Sequence, residues 1–149
     1  MRQWKNNLTL ILRVLFIILM LATGIGKLLD IPGFAKVIEA YQIGLSSYFA
    51  IAIGFSLAMF EFQLGVHLIR KPESVLSGFL LTFMHLGYTA LAIITLARGI
   101  PIENCGCFGV FLARPMTIQT IFEDLFLVLL SALFWYLLKL QANSYSSQK

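Results

Sequence analysis

The chain has 149 residues, of which 59% are hydrophobic and 12% charged, and its mean hydropathy is +0.87. Ordinary soluble domains carry roughly a quarter charged residues, so a water-soluble fold of this length could not hide so much apolar surface, and lipid must be the solvent for much of it. The net charge of +4 forms no basic run, which speaks against nucleic acid as a partner and leaves the basic residues as topology signals.

A helix needs about 20 mostly apolar residues to cross the hydrocarbon. The first such stretch runs from about Leu8 to Leu29. Arg2 and Lys5 precede it as the basic region of a signal peptide would, but the stretch is too long for a signal core and Arg13 interrupts it, so it is expected to stay in the protein. The segment Ile31 to Gly44 carries Phe34, Val37, Ile38 and Tyr41 at helical spacing, with Lys36 and Glu39 elsewhere on the wheel. This pattern predicts a short helix lying in the interface. The second span runs from about Leu45 to Ile69, and Arg70-Lys71-Pro72-Glu73 is a tight polar turn. The third runs from about Val75 to Ala97, and a longer connection from Arg98 to Thr117 holds Pro101, Cys105-Gly106-Cys107-Phe108-Gly109 and Pro115. The fourth runs from about Ile118 to Leu138, and the polar tail from Ala142 to Lys149 is expected to be disordered. Trp4, Tyr48, Trp135 and Tyr136 fall near span ends, where amphipathic rings favour the interface. The expected fold is therefore a single all-α membrane domain over residues 1–149: a bundle of four transmembrane helices with a short interfacial helix between the first two. Backbone groups in lipid must pair within the protein, which favours helices over an open sheet.

An even number of spans puts both ends on one side. Arg2, Lys5, Arg70, Lys71, Lys139 and Lys149 share that side, against Lys27, Lys36, Arg98 and Arg114 on the other. The positive-inside rule then places both termini and the Arg70 turn in the cytoplasm. In a bacterium this makes the chain a multi-pass protein of the inner membrane with its cysteine loop outside, in a compartment that permits disulfides.

The cysteine pair is the most informative local feature. A disulfide wants Cα atoms roughly 4.4–6.8 Å apart, which an i, i+2 pair reaches only in a bent loop, and Gly106 supplies the freedom for the bend. A bond in so small a ring closes a loop of negligible entropy and is strained, so it suits exchange better than structure. Three readings stay open: a redox-active dithiol, inert thiols packed as small apolar groups, and half of a metal site. The last needs further ligands, and only His67 and His85 are at hand.

Charges at membrane depth are candidates for function, each with a partner to be named. Arg13 and Glu61 fall in the cytoplasmic halves of spans one and two and are expected to pair, orienting those helices. Lys27, Tyr41 and Asp124 could gather around Cys105 and Cys107, with Lys27 favouring the thiolate and Asp124 or Tyr41 handling protons. Alternatively, Lys27 and Asp124 form an ion pair at the outer helix ends. Glu123 and Asp124 project in different directions, and Asp124 is taken to face the bundle. His85, near the middle of span three, could hydrogen-bond a quinone oxygen or a neighbouring helix. Ala50, Gly54 and Ala58 recur every four positions on span two, as close helix packing requires.

Gly24-Ile25-Gly26-Lys27-Leu28, Phe34 with Tyr41, Glu61, Cys105-Gly106-Cys107-Phe108-Gly109 and Asp124-Leu125 together resemble the MauE/DoxX group of small bacterial membrane proteins, over most of the chain. The resemblance implies a four-helix membrane bundle related in architecture to disulfide-forming membrane enzymes. It also implies a part in forming disulfides in a periplasmic partner, often alongside a thioredoxin-like protein. Those enzymes carry two cysteine pairs and this chain one, so a relay within a single chain is impossible. The function expected is that of a membrane thiol–disulfide oxidoreductase, or a redox subunit, passing electrons to a quinone or a thioredoxin-like protein through Cys105 and Cys107. The rival is a non-catalytic scaffold for assembly of a periplasmic or membrane complex. A channel would need a polar stripe through the bundle, and only Arg13, Glu61 and His85 offer one.

Overall fold

The computed structural model describes residues 2–146, and side chains over 7–144. The described residues form five helices and no strand: α1 (Arg2–Leu28), α2 (Ile31–Ala40), α3 (Ser47–Arg70), α4 (Val75–Ala97) and α5 (Ile118–Ser146). Four of them are long and apolar enough to cross a membrane, over Asn7–Leu28, Ser47–Arg70, Val75–Ala97 and Ile118–Ser144. The fold class read from the sequence is therefore the fold found, including the short helix between the first two spans. Helix α5 continues through Ser146, into the segment expected to be disordered, and Gln141 Nε2 donates to the Thr9 hydroxyl at 3.2 Å across the bundle. The topology signals at Arg2, Lys5 and Lys149, and the interfacial ring of Trp4, lie outside the described side chains.

The helices pack mainly as two antiparallel pairs, α1 with α3 and α4 with α5, and α1 also meets α5. Small residues set the register. A Cβ on Gly24 would stand 2.7 Å from the Phe62 backbone nitrogen, and one on Gly65 would stand 2.9 Å from Leu21. A Cβ on Gly78 would meet Trp135 of α5 at 2.7 Å. These approaches let the backbones close in where lipid gives no hydrophobic drive to association. They also place Lys27, at the end of α1, level with Glu61 of α3.

Helix α2 is started by Asp30, whose side chain accepts from the Gly33 N–H at 2.8 Å, and by Pro32 in its first turn. It buries Phe34, Ala35, Val37 and Ile38, and Gly54 of α3 leaves room for Phe34 and Ile38. The chain leaves α2 through Gln42 and Gly44, both at positive φ. The core has two halves. One, around Phe16, Met20, Leu81 and Phe134, fills the bundle toward the end that holds the described ends of the chain. The other joins Phe34, Ile38 and Tyr41 to Ile102, Cys105 and Met116, and so welds α2 to the α4–α5 connection.

Candidate redox site

The connection between α4 and α5 is pinned at both flanks by backbone bonds. Cys105 N–H donates to the Arg114 carbonyl and Met116 N–H to the Ile102 carbonyl, each at 2.9 Å. Asn104 forms the bend inside this clasp: its side-chain oxygen accepts from Gly106 N–H at 2.9 Å, and its amide donates to the Gly109 carbonyl at 3.1 Å. Gly106 lies at φ +75 and sits against Val37 and Phe34, so a side chain there would meet both backbone strain and a packed wall. The result is a pair of free thiols with sulfurs 3.0 Å apart. A disulfide needs about 2.05 Å, so closing one requires a shift of about an ångström.

Two bundle side chains hold this loop by its carbonyls. The Tyr41 hydroxyl donates to the Cys105 carbonyl at 2.8 Å. The Lys27 ammonium donates to the Cys107 carbonyl at 2.9 Å and to Glu61 Oε2 at 2.6 Å. The other Glu61 oxygen accepts from the Tyr88 hydroxyl. Lys27 and Glu61 are buried, at 2% and 0% exposure. Glu61 thus pairs with Lys27, and the expected Arg13–Glu61 pair is corrected. The expectation aligned spans one and two centre to centre, whereas the glycine contacts slide α3 past the end of α1. Arg13 lies about 21 Å further along α1 at ~1.5 Å per residue. The alternative Lys27–Asp124 ion pair is replaced in the same way.

A cavity of about 220 Å³ opens beside the dithiol, its wall mostly apolar. Cys105, Cys107, Lys27, Tyr41, Glu61, His85, Tyr88, Arg114, Glu123 and Asp124 all contribute to it. The residues expected around the cysteines, Lys27, Tyr41 and Asp124, therefore share one cavity with them. His85 Nδ1 donates to the Leu81 carbonyl one turn back on its own helix at 2.8 Å, and its ring packs on Phe16. The hydrogen bond expected to a neighbouring helix is made within α4 instead. Among the described residues, no group of three or more His, Cys, Asp and Glu side chains is placed to hold a metal ion.

The thiols are electrostatically unequal. The Cys107 thiol hydrogen bond, more than any other contact, pulls Cys105 down from the usual thiol range to about 5; the Cys107 backbone N–H and the Arg114 side chain assist, against the effect of burial. Cys107 is pushed up by the same contact with Cys105 and by burial. One negative charge is thus shared by the pair and rests on Cys105. Burial, then the nearby sulfurs and Asp124, push Tyr41 up, so it holds its proton and serves the loop as a hydrogen-bond donor. Arg114 is held charged, first by its 2.5 Å bridge to Glu123.

Tyr88, Asn104 and Arg114 are members that sequence reasoning missed, and Glu123, set aside in favour of Asp124, lines the cavity beside it and bridges Arg114. An unpaired hydroxyl three residues beyond His85 was the available signal for Tyr88, since a carboxylate at membrane depth needs every donor it can find. Arg114 was counted only as a topology charge, although it stands in the cysteine loop itself.

The class that fold and site define is a small multi-pass membrane protein carrying a dithiol loop clamped onto its bundle. The chain belongs to the MauE family: the family model described as methylamine utilisation protein MauE matches residues 5–137. That match concerns MauE and carries nothing about DoxX-like proteins. No curated protein and no solved structure matches the chain.

Proposed function

We propose that the protein exchanges disulfides with a thioredoxin-like or substrate protein through Cys105 and Cys107, as an oxidoreductase or the redox subunit of one. The observation that carries this reading is the dithiol itself: two free sulfurs 3.0 Å apart, with one pulled toward the thiolate. Thiolate is the attacking and the leaving species in exchange. The clamps from Tyr41 and Lys27 grip carbonyls, not sulfurs, so the loop stays docked while the sulfur chemistry changes. The family description, a methylamine utilisation protein, accords with an accessory role of this kind at a membrane.

A quinone is the other acceptor the sequence suggested, with His85 as its hydrogen-bond partner. The cavity wall is apolar and includes both thiols, which suits such a molecule. With Nδ1–H given to Leu81, however, Nε2 of the neutral ring carries a lone pair, and a quinone carbonyl needs a donor. His85 does not fit that role, and the acceptor we propose is a protein thiol–disulfide couple.

The membrane proposed is the bacterial cytoplasmic membrane, with both termini in the cytoplasm and the loop outside. In support, Arg70, Lys71 and Lys139 sit toward the end of the bundle where Thr9 meets Gln141. At the loop end Lys27 and Arg114 are each neutralised by a carboxylate, which leaves fewer free cations to oppose that orientation.

Mixed-disulfide trapping tests the exchange. In membranes from cells expressing Cys105→Ala or Cys107→Ala, at least one variant should hold a partner in a band that a reductant releases. Capture by neither, together with full partner assembly by the double Cys→Ser chain, would establish the scaffold reading instead.

A further inference from the structure

We infer that Arg114, held by Glu123, is the cationic partner of the Cys105 sulfur, and that this pairing adds to the Cys107 contact in tuning the reactivity of the dithiol. The inference deepens the exchange role proposed above and rests on it for its biological consequence.

Lys27 was the cation expected to favour the thiolate. Its ammonium lies 2.6 Å from the Glu61 carboxylate and also grips the Cys107 carbonyl. That ammonium is buried and lies on the Cys107 side, where its charge bears on the Cys107 thiol. Arg114 stands on the Cys105 side. Its carbonyl accepts the Cys105 N–H at 2.9 Å, which sets the two residues side by side across the loop clasp; its side chain lines the same cavity as Cys105, with a buried Nε–H that has no hydrogen-bond partner. Glu123, from the first turns of α5, bonds the guanidinium at 2.5 Å and is itself fixed by Gln119 Nε2 at 3.0 Å. An arginine suits this place because its planar fork presents several donors in fixed directions, so one edge can hold a carboxylate while another is turned toward the sulfur.

The other titratable groups facing the dithiol come from every element. They are Lys27 on α1, Tyr41 just beyond α2, Glu61 on α3, His85 and Tyr88 on α4, and Asp124 beside Glu123 on α5. Arg114 and Lys27 are the cations among them, and Lys27 is committed to Glu61 and Cys107.

A partner thiolate bonds to the Cys107 sulfur as the Cys105–Cys107 bond breaks, and the electron pair of that bond stays on Cys105 as thiolate against Arg114. A second partner thiol displaces Cys107, which takes up that thiol's proton. The partner dithiol is oxidised to a disulfide, and the chain is reduced to a Cys105 thiolate and a Cys107 thiol. The first partner proton goes to solvent. A leaving sulfur of low pKa departs faster, so the Arg114 contact favours release from Cys105.

The test uses full-length protein in detergent, reduced, then alkylated with iodoacetamide across a pH series, with Cys105 labelling read by peptide mass. The wild-type midpoint should lie near pH 5. Arg114→Gln should raise it by about one pH unit or more, a tenfold change in thiolate to thiol. The same variant should move the equilibrium with glutathione about tenfold toward the chain's disulfide, equivalent to about 30 mV. Arg114→Lys should recover part of both shifts. Glu123→Ala frees the guanidinium and should also raise the midpoint; a fall would show that Glu123 merely neutralises Arg114 and would overturn its positioning role. An unmoved Cys105 midpoint in Arg114→Gln would overturn the pairing. If alkylation shifts as expected while the wild type never forms a disulfide with glutathione, the exchange reading fails and the pairing stands.

Discussion

Removing the Lys27 charge should damage this protein more than any other single change near the loop. Lys27→Met keeps the length of the side chain and deletes the ammonium. Glu61, at 0% exposure, would then face its surroundings with the Tyr88 hydroxyl as its remaining hydrogen-bond donor. Breaking a buried ion pair from one side costs about 3–5 kcal/mol, because the surviving charge is left uncompensated. Losing the 2.9 Å bond to the Cys107 carbonyl adds about 1 kcal/mol. Together these reach the lower end of the usual stability of a domain, about 5 kcal/mol, so the variant should be recovered in low yield. Lys27→Met combined with Glu61→Leu removes both charges and should restore most of the bundle's stability, since apolar replacement of a whole buried pair is often neutral. The loop should stay loose in the double variant, because the Cys107 carbonyl still lacks its donor. Thermal unfolding in detergent measures the first effect, and the rate of disulfide formation with oxidised glutathione the second. Single variants within about 1 kcal/mol of wild type, the range of exposed pairs, would refute the reasoning, as would a double variant no more stable than the singles.

Arg13→Leu and Glu61→Gln should act independently, with a coupling below about 0.5 kcal/mol in a double-mutant cycle; a larger coupling would revive an Arg13–Glu61 pair. Gly26→Ala would put a Cβ 2.6 Å from the Phe108 carbonyl oxygen, backbone against backbone, so the loop must lift. Disulfide formation should slow while circular dichroism stays unchanged, and an unchanged rate would mean the Gly26 contact does not seat the dithiol. Tyr41→Phe removes the 2.8 Å bond to the Cys105 carbonyl and should cost about 1 kcal/mol. It should leave the shape of the pH–rate profile alone, because the buried hydroxyl keeps its proton; a changed profile would show that Tyr41 moves a proton. Cys105 has a lowered pKa, so its thiolate is present at neutral pH and is lost as pH falls through about 5. Alkylation of Cys105 should accordingly stay flat from about pH 8 down to about 6, and a midpoint near pH 8–9 would contradict the charge placement.

The spans were legible because lipid imposes a length and a composition that few other settings demand. Helix α2 was legible from Phe34, Val37, Ile38 and Tyr41, a spacing that the structure buries against Gly54 and the cysteine loop. Membership of the candidate site was legible too: Lys27, Tyr41, Asp124 and both cysteines line one cavity. Pairing within the site was not. Whether Glu61 meets Arg13 or Lys27 depends on the sliding register of α1 against α3, and hydrophobicity along a span is blind to sliding. That register is written in Gly24, Ala58 and Gly65, which permit close approach at one offset only. Arg114 was missed for a different reason. It meets Cys105 through one of the two backbone hydrogen bonds that close the loop, and no periodicity announces such a turn.

The two cations near the dithiol do different work, and the fold explains why. Lys27 sits where α1 ends, buried under the loop, so it can exist there only with a carboxylate, and Glu61 supplies one. Bound to Glu61, the ammonium still has protons for hydrogen bonding, and one goes to the Cys107 carbonyl. It therefore fixes where the loop sits. Arg114 is about half exposed, at 43% of its side chain, so water supports its charge while Glu123 holds it beside the Cys105 end of the loop. It bears on how the thiols react. A deep, paired lysine for position and a shallow arginine for charge are separable by experiment. Lys27 variants should change stability and loop seating with the Cys105 alkylation midpoint little moved, whereas Arg114 variants should move the midpoint with stability little changed. If the two sets of variants shifted both quantities alike, the division between clamp and charge would be wrong, and the dithiol would have to be treated as one electrostatic unit with the ion pair beneath it.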